Sequence, residues 1–286
     1  MKRMNIMIKI TADSTCDLSP ELKAKTGVII TPIHVIMEGK DYMDGVDITP
    51  EDIFATCGGK SKVVCASAAV NPDYYEKVFA EATADGSEVI HIGLSSEISS
   101  SFHNAQIAAE DFENVYVVDS RNLSTGSGHL VLLAAEMIAE GMAAKDIAEK
   151  LAEIAKKVDA SFVIDTLEYL KKGGRCSALA ALGANLLSLK PCIEVKDGKM
   201  GPAKKYRGNI NKSLEMYVKD RLKNIENIDN KRIFVTSTFE NEKDVQAIVK
   251  LVKSYKYFDE VLVTKAGSVI SCHCGPNCLG ILYINK

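Results

Sequence analysis

Five of the seven residues from Ser95 to Ser101 are serine; they follow directly on the apolar run Val89-Ile90-His91-Ile92-Gly93-Leu94 and lead into a helix-like stretch over 102–109. A strand that leaves through a hydroxyl-lined turn and then starts a helix belongs to an open α/β sheet, and such exits collect small anionic ligands. One serine at such a place also serves as an ordinary helix cap while the others solvate a loop, so the segment by itself leaves both readings open.

The same rhythm recurs through the first half of the chain. Residues 7–12 are expected as a strand ending in Asp13-Ser14-Thr15, and Ser19-Pro20-Glu21 opens a short helix. The stretches 28–31 and 33–37 predict a strand pair, Glu38-Gly39-Lys40-Asp41 a turn, and Thr49-Pro50-Glu51-Asp52 a helix cap. Asn71-Pro72-Asp73 begins another helix, 115–118 is a strand, and helical patterns cover about 128–140 and 145–157. This β-α-β-α order predicts a mainly parallel sheet between two layers of helices.

From Ser161 the pattern changes. Extended stretches are expected at 162–164, 232–237, 260–264 and 281–284, with a hairpin turning on Asp197-Gly198 and a helix over 212–224. The reading is therefore an α/β chain of two domains. Residues 1–160 form a three-layer α/β/α unit with a mainly parallel sheet, and 161–286 a two-layer α/β unit with a mixed sheet. Between 177 and 189, alanine, leucine and glycine occupy every face, as in a helix buried all round or laid against a ligand.

Bulk properties exclude several classes. The chain has 286 residues, 47% of them hydrophobic, enough to build real cores. A net charge of −3 offers no basic field for nucleic acid. No apolar run approaches the roughly 18 to 20 residues that span a bilayer, and Lys9 and Asp13 interrupt any leader-like core near the start. The expectation is a cytoplasmic protein without stable membrane insertion. Eight cysteines need not form disulfides in such a chain, and most are expected as small core residues. Cys272-His273-Cys274-Gly275-Pro276-Asn277-Cys278 packs four soft ligands into seven positions, but zinc sites usually pair two separated knuckles.

Catalytic motifs are missing. Gly126-Ser127-Gly128 lacks the glycine that a nucleophile elbow places two residues before its serine, and valine replaces the third glycine of a dinucleotide fingerprint. There is no G-x-x-x-x-G-K-[ST] and no H-E-x-x-H, and the five histidines are scattered.

Six segments occur in a telling order: Asp13-Ser14-Thr15, Asp44-Gly45-Val46-Asp47-Ile48-Thr49-Pro50, Ser95-Ser96-x-Ile98-Ser99, Tyr169-Leu170-Lys171-Lys172-Gly173-Gly174-Arg175, Leu189-Lys190-Pro191, and His273-x-Gly275-Pro276 with Leu279-Gly280. Over essentially the whole chain they closely resemble the DegV family of bacterial fatty-acid-binding proteins. That resemblance implies a two-domain α/β fold enclosing one long-chain fatty acid of the palmitate or oleate class. It also implies delivery of that acid to a separate fatty-acid kinase, the carrier itself being non-catalytic and needing no cofactor. The family's carboxylate-binding threonine falls on Ser67 and its second anchor on Ser99, with Ser100 where glycine is usual, a replacement expected to alter the turn. Ser96 and His273 fall at supporting positions, and Arg175 and Arg207 at basic positions near a partner surface or domain junction. The competing expectation is a serine-dependent acyl- or phosphoryl-processing enzyme with Ser99 as nucleophile and His273 as base.

Overall fold

This computed structural model describes residues 7–59, 61–174 and 189–286. The chain opens with β1 (Ile8–Asp13), α1 (Pro20–Thr26) and β2 (Ile29–Thr31), then forms a hairpin of β3 (His34–Met37) and β4 (Lys40–Met43). Helix α2 (Pro50–Cys57) and β5 (Cys65–Ala68) follow, then α3 (Pro72–Thr83), β6 (Glu88–Gly93), α4 (Ser101–Ala109) and β7 (Val115–Asp119). Helices α5 (Thr125–Ala139) and α6 (Ala144–Ala155) lead to β8 (Val158–Val163), α7 (Glu168–Lys172), β9 (Leu189–Lys196) and β10 (Lys199–Arg207). The last elements are α8 (Ile210–Arg221), β11 (Ile228–Ser237), α9 (Glu242–Ser254), β12 (Glu260–Lys265), α10 (Ser268–Cys274) and β13 (Leu279–Asn285).

Strands β2-β1-β6-β7 make a four-stranded sheet, parallel throughout. Its strands are near-continuous apolar runs because helices cover both faces. Tyr75, Phe79, Ala105 and Ala108 of α3 and α4 pack one face; Leu130, Ile147 and Leu151 of α5 and α6 pack the other. A six-stranded mixed sheet runs β10-β9-β8-β13-β11-β12, with only β11 and β12 parallel. Its outer face carries α8 and α9 through Leu214, Tyr217, Ile248 and Val249. Its inner face presents Ala160, Phe234 and Leu282 to the α5/α6 layer, so those helices lie between the two sheets. The fold is α/β, with one parallel and one mixed sheet. The expected 160/161 boundary falls inside β8, whose residues from Val158 pair with β13.

Several local expectations change. The stretches at 28–31 and 33–37 do not pair with each other: β2 lies beside β1, whereas β3 is the centre of a separate antiparallel sheet β4-β3-β5. Pro32 stands between them, and a residue without an N–H breaks any ladder there. The turn after β3 is only Glu38-Gly39, both left-handed at φ 52° and 75°, so Lys40 and Asp41 already belong to β4. The Asp197-Gly198 hairpin forms between β9 and β10. Of the helix expected over 177–189, the part up to 188 lies outside the described residues, and Leu189 opens β9. No described helix is long and apolar enough to cross a membrane.

Candidate functional site

The carboxyl ends of β1, β6 and β7 converge where an open parallel sheet forms its ligand crevice. Asp13, the last residue of β1, anchors the start of the serine loop. Its carboxylate accepts from the Leu94 N–H at 2.7 Å and from the Tyr75 hydroxyl at 2.5 Å. Burial raises its pKa to about 6 against those two bonds. His91, beneath it, is driven down to about 3 by burial and stays neutral. Ser101 accepts from the Val70 N–H at 3.3 Å, and Asn104 donates to the Val70 carbonyl at 2.7 Å. These two bonds tie the start of α4 to the segment after β5, and so set Ser99 relative to Ser67.

Ser67 is on β5, opposite Val35 of β3. Nothing in the sequence predicts this strand, because Cys65-Ala66-Ser67-Ala68 has neither alternation nor β-branched residues. Ser67 is not the cap of α3; Asn71 holds that place, accepting from the Tyr74 N–H at 2.9 Å. The Ser67 hydroxyl is instead hydrogen-bonded to His273 Nε2 at 2.8 Å.

His273 sits on α10, a helix the sequence does not predict either. At its start the Gly267 N–H donates to Asp17 at 2.8 Å and the Ser268 N–H to Asp44 at 2.7 Å. At its end Gly275 takes φ 71°, and a Cβ there would lie 2.4 Å from the Tyr169 ring. Gly173, just beyond α7, serves the same approach differently. Its φ of −76° suits any residue, but a Cβ would stand 2.4 Å from His273 Nδ1. The glycines of both motif segments thus let α7 and α10 meet closely behind His273.

Ser67, Ser99 and His273 line one small cavity of about 40 Å³, whose apolar wall includes Ile33, Leu94, Ile98, Leu123, Phe162 and Leu170. A second, smaller cavity shares Leu123, Phe162, Ile270 and Cys274 with it and is lined further by Thr236 and Leu282. Among the described residues no lysine, arginine, aspartate or glutamate lines either space. Thr15, after β1, lines the first cavity as well; it belongs to a motif segment, but its letter alone carries no sign of a role.

Ser99 donates to Ser101 Oγ at 3.0 Å and accepts from the Ser101 N–H at 3.1 Å, so the helix-cap reading holds in part for this serine. Its partner is not His273, and the Ser99–His273 dyad is not formed. Ser100 stands at φ −74°, ψ −6°, an ordinary conformation, so the glycine usual there is not required by this turn. Ser96 turns aside and donates to Asp119 at 2.6 Å. Arg207 is exposed at the end of β10, and Arg175 lies outside the described residues. All seven described cysteines are free and buried, and no group of three His, Cys, Asp or Glu among the described residues is placed to hold a metal ion.

The family model for the DegV family, described as an uncharacterised protein family, matches residues 7–286. The chain belongs to the DegV family. A DegV domain-containing protein of Clostridium acetobutylicum is 32% identical over 98% of this chain and 99% of its own length. A solved DegV family protein from Thermus thermophilus, described by its fatty acid binding, superposes with a TM-score of 0.90 at 29% identity, covering 98% of this chain and all of that one. A stearic acid-binding protein from Eubacterium ventriosum superposes at 0.85 with 28% identity, covering 98% and 99% of the two chains. In DegV terms, four of the motif segments picked out along the sequence bring Thr15, Ile98, Ser99, Leu170, His273 and Cys274 to the cavity.

Proposed function

We propose that this protein binds a long-chain fatty acid, with Ser67 and Ser99 holding the carboxylate and the apolar cavity taking the tail. The observation that carries the reading is that two hydroxyls, one on β5 and one on the loop before α4, line one largely apolar space that carries no lysine, arginine, aspartate or glutamate among the described residues. Solved relatives described as binding fatty acids support it. Hydroxyls orient a carboxylate without a buried cation, and His273 positions Ser67 for that task. Each buried methylene contributes about 0.8 kcal/mol, against about 1.5–3 kcal/mol for one hydrogen bond to the charged head. The tail therefore supplies affinity and the head sets direction. A weakly polar clamp suits a carrier that gives its ligand up. The remaining elements of the proposal are a cytoplasmic carrier of two units, 1–160 and 161–286, no cofactor, and presentation of the acid to a separate fatty-acid kinase, with Arg175 and Arg207 in a supporting or partner-facing role.

Native mass spectrometry of the purified protein, with solvent extraction, tests the proposal. The expected result is a bound acid of the palmitate or oleate class, and about tenfold weaker palmitate binding in both Ser67→Ala and Ser99→Ala, the equivalent of about 1.4 kcal/mol. Protein that carries no acid and does not bind palmitate or oleate overturns it. Hydrolysis of acyl esters lost in Ser67→Ala would point instead to a nucleophile paired with His273.

A further inference from the structure

Thr15 is fully buried and lines the cavity, and its Oγ1 has no hydrogen-bond partner among the described residues. The side chains just before it in the chain are engaged. Ser14 donates to Asp44 at 2.8 Å and accepts from the Ile33 N–H at 3.1 Å, and Asp13 accepts from Tyr75 and Leu94. Along the cavity wall, Ser67 is bonded to His273 and Ser99 to Ser101. Thr15 is therefore the cavity hydroxyl whose proton has nowhere to go within the described protein. It stands directly beyond β1, an inner strand of the parallel sheet, where the crevice of such a sheet takes its ligand. Burying a hydroxyl without a partner is costly, and an acceptor brought in by the ligand removes that cost.

Resting on the fatty-acid reading of this cavity, we propose that Thr15 is a further ligand-binding residue, its hydroxyl donating to an oxygen of the bound acyl ligand. That oxygen belongs either to the carboxylate or to a hydroxyl carried along the chain. In both cases the chemistry is the same: one neutral donor, one oxygen acceptor, in a largely apolar wall. Valine in this place keeps the shape and removes the proton; serine keeps the proton and removes the methyl.

The test measures binding of palmitate, stearate and 12-hydroxystearate to delipidated wild type, Thr15→Val and Thr15→Ser, with the melting temperature of each ligand-free protein. About tenfold weaker palmitate binding in Thr15→Val, largely restored in Thr15→Ser, supports the proposal with the carboxylate as acceptor. Unchanged palmitate binding with loss of a wild-type preference for 12-hydroxystearate over stearate supports it with the chain oxygen. The ligand-free Thr15→Val protein is expected to melt no lower than wild type, since its missing hydroxyl had no partner to lose. A clear drop in that melting temperature, or a Thr15→Val protein that binds all three acids as wild type does, overturns the role of Thr15 alone. Wild type that binds none of the acids overturns the fatty-acid reading and this inference with it.

Discussion

Gly173 shows how one missing methyl group shapes the candidate site. An alanine there would place its Cβ 2.4 Å from His273 Nδ1, and since φ is −76° the backbone offers no objection of its own. Gly173→Ala is expected to cost about 1–3 kcal/mol through overpacking and to displace His273 from Ser67, weakening palmitate binding. The check is a double-mutant cycle with His273→Ala, in which the Gly173→Ala penalty should largely vanish; an unchanged penalty would mean the strain lies elsewhere. The serines divide by the same kind of local geometry. Ser96 and Ser99 look alike in the sequence, yet one faces Asp119 and the other the cavity. The choice between them depends on neighbours far along the chain, which is why letters alone could not separate supporting from lining residues.

Helix α10 is held at its start by two buried carboxylates, and this gives the element a pH signature. Burial raises Asp17 to about 7, from an ordinary 3.8, against the Ser124 hydroxyl and the Gly267 N–H that bond its charged form, with Asp44 and Lys23 as its charged neighbours. Because the folded pKa is the higher one, the folded chain keeps a proton that the unfolded chain releases between pH 4 and 7. The contribution of this group is fully present below about pH 4 and is lost as pH rises toward 7. His91 acts in the opposite sense, since its depressed pKa of about 3 makes stability grow from pH 3 to 6.5. Denaturant unfolding of wild type and Asp17→Asn separates the two: the wild-type advantage over the variant should shrink from pH 4.5 to 7 and level off above, whatever its absolute size. A difference that stays flat across that range would show that Asp17 does not titrate there. Helix α10 was not legible in the sequence because Ser268-Val269-Ile270-Ser271-Cys272-His273-Cys274 is seven residues of weak helix formers. Its caps come from β1's loop and from Asp44, more than 220 positions away.

Across the molecule, the α5/α6 layer is the shared core. Leu130, Ile147 and Leu151 pack with Ile10, Ala12 and Ile92 of the parallel sheet and with Phe234 and Leu282 of the mixed one, and His129 bonds the Leu282 carbonyl at 3.0 Å. Because neither sheet can lose these helices without exposing apolar surface, calorimetry should show one cooperative transition. Phe234→Ala should lower it as a whole, at a cost of about 3–5 kcal/mol. Two resolved transitions, only one of them moved by the substitution, would overturn that reading. The alternation of apolar runs with capped helices, Asn71-Pro72, Thr49-Pro50 and Ser19-Pro20 among them, already determined the α/β class, the parallel sheet and most helix starts, since periodicity and capping are local properties. The order of the motif segments likewise pointed to the family and to Ser67, Ser99 and His273 as residues of interest. Only the tertiary structure decided that His273 bonds Ser67 rather than Ser99, that β5 is a strand, and that Thr15 lines the cavity with a hydroxyl that has no partner among the described residues. Those outcomes depend on contacts between segments dozens to hundreds of residues apart, and such contacts leave no period in a sequence for a reader to find.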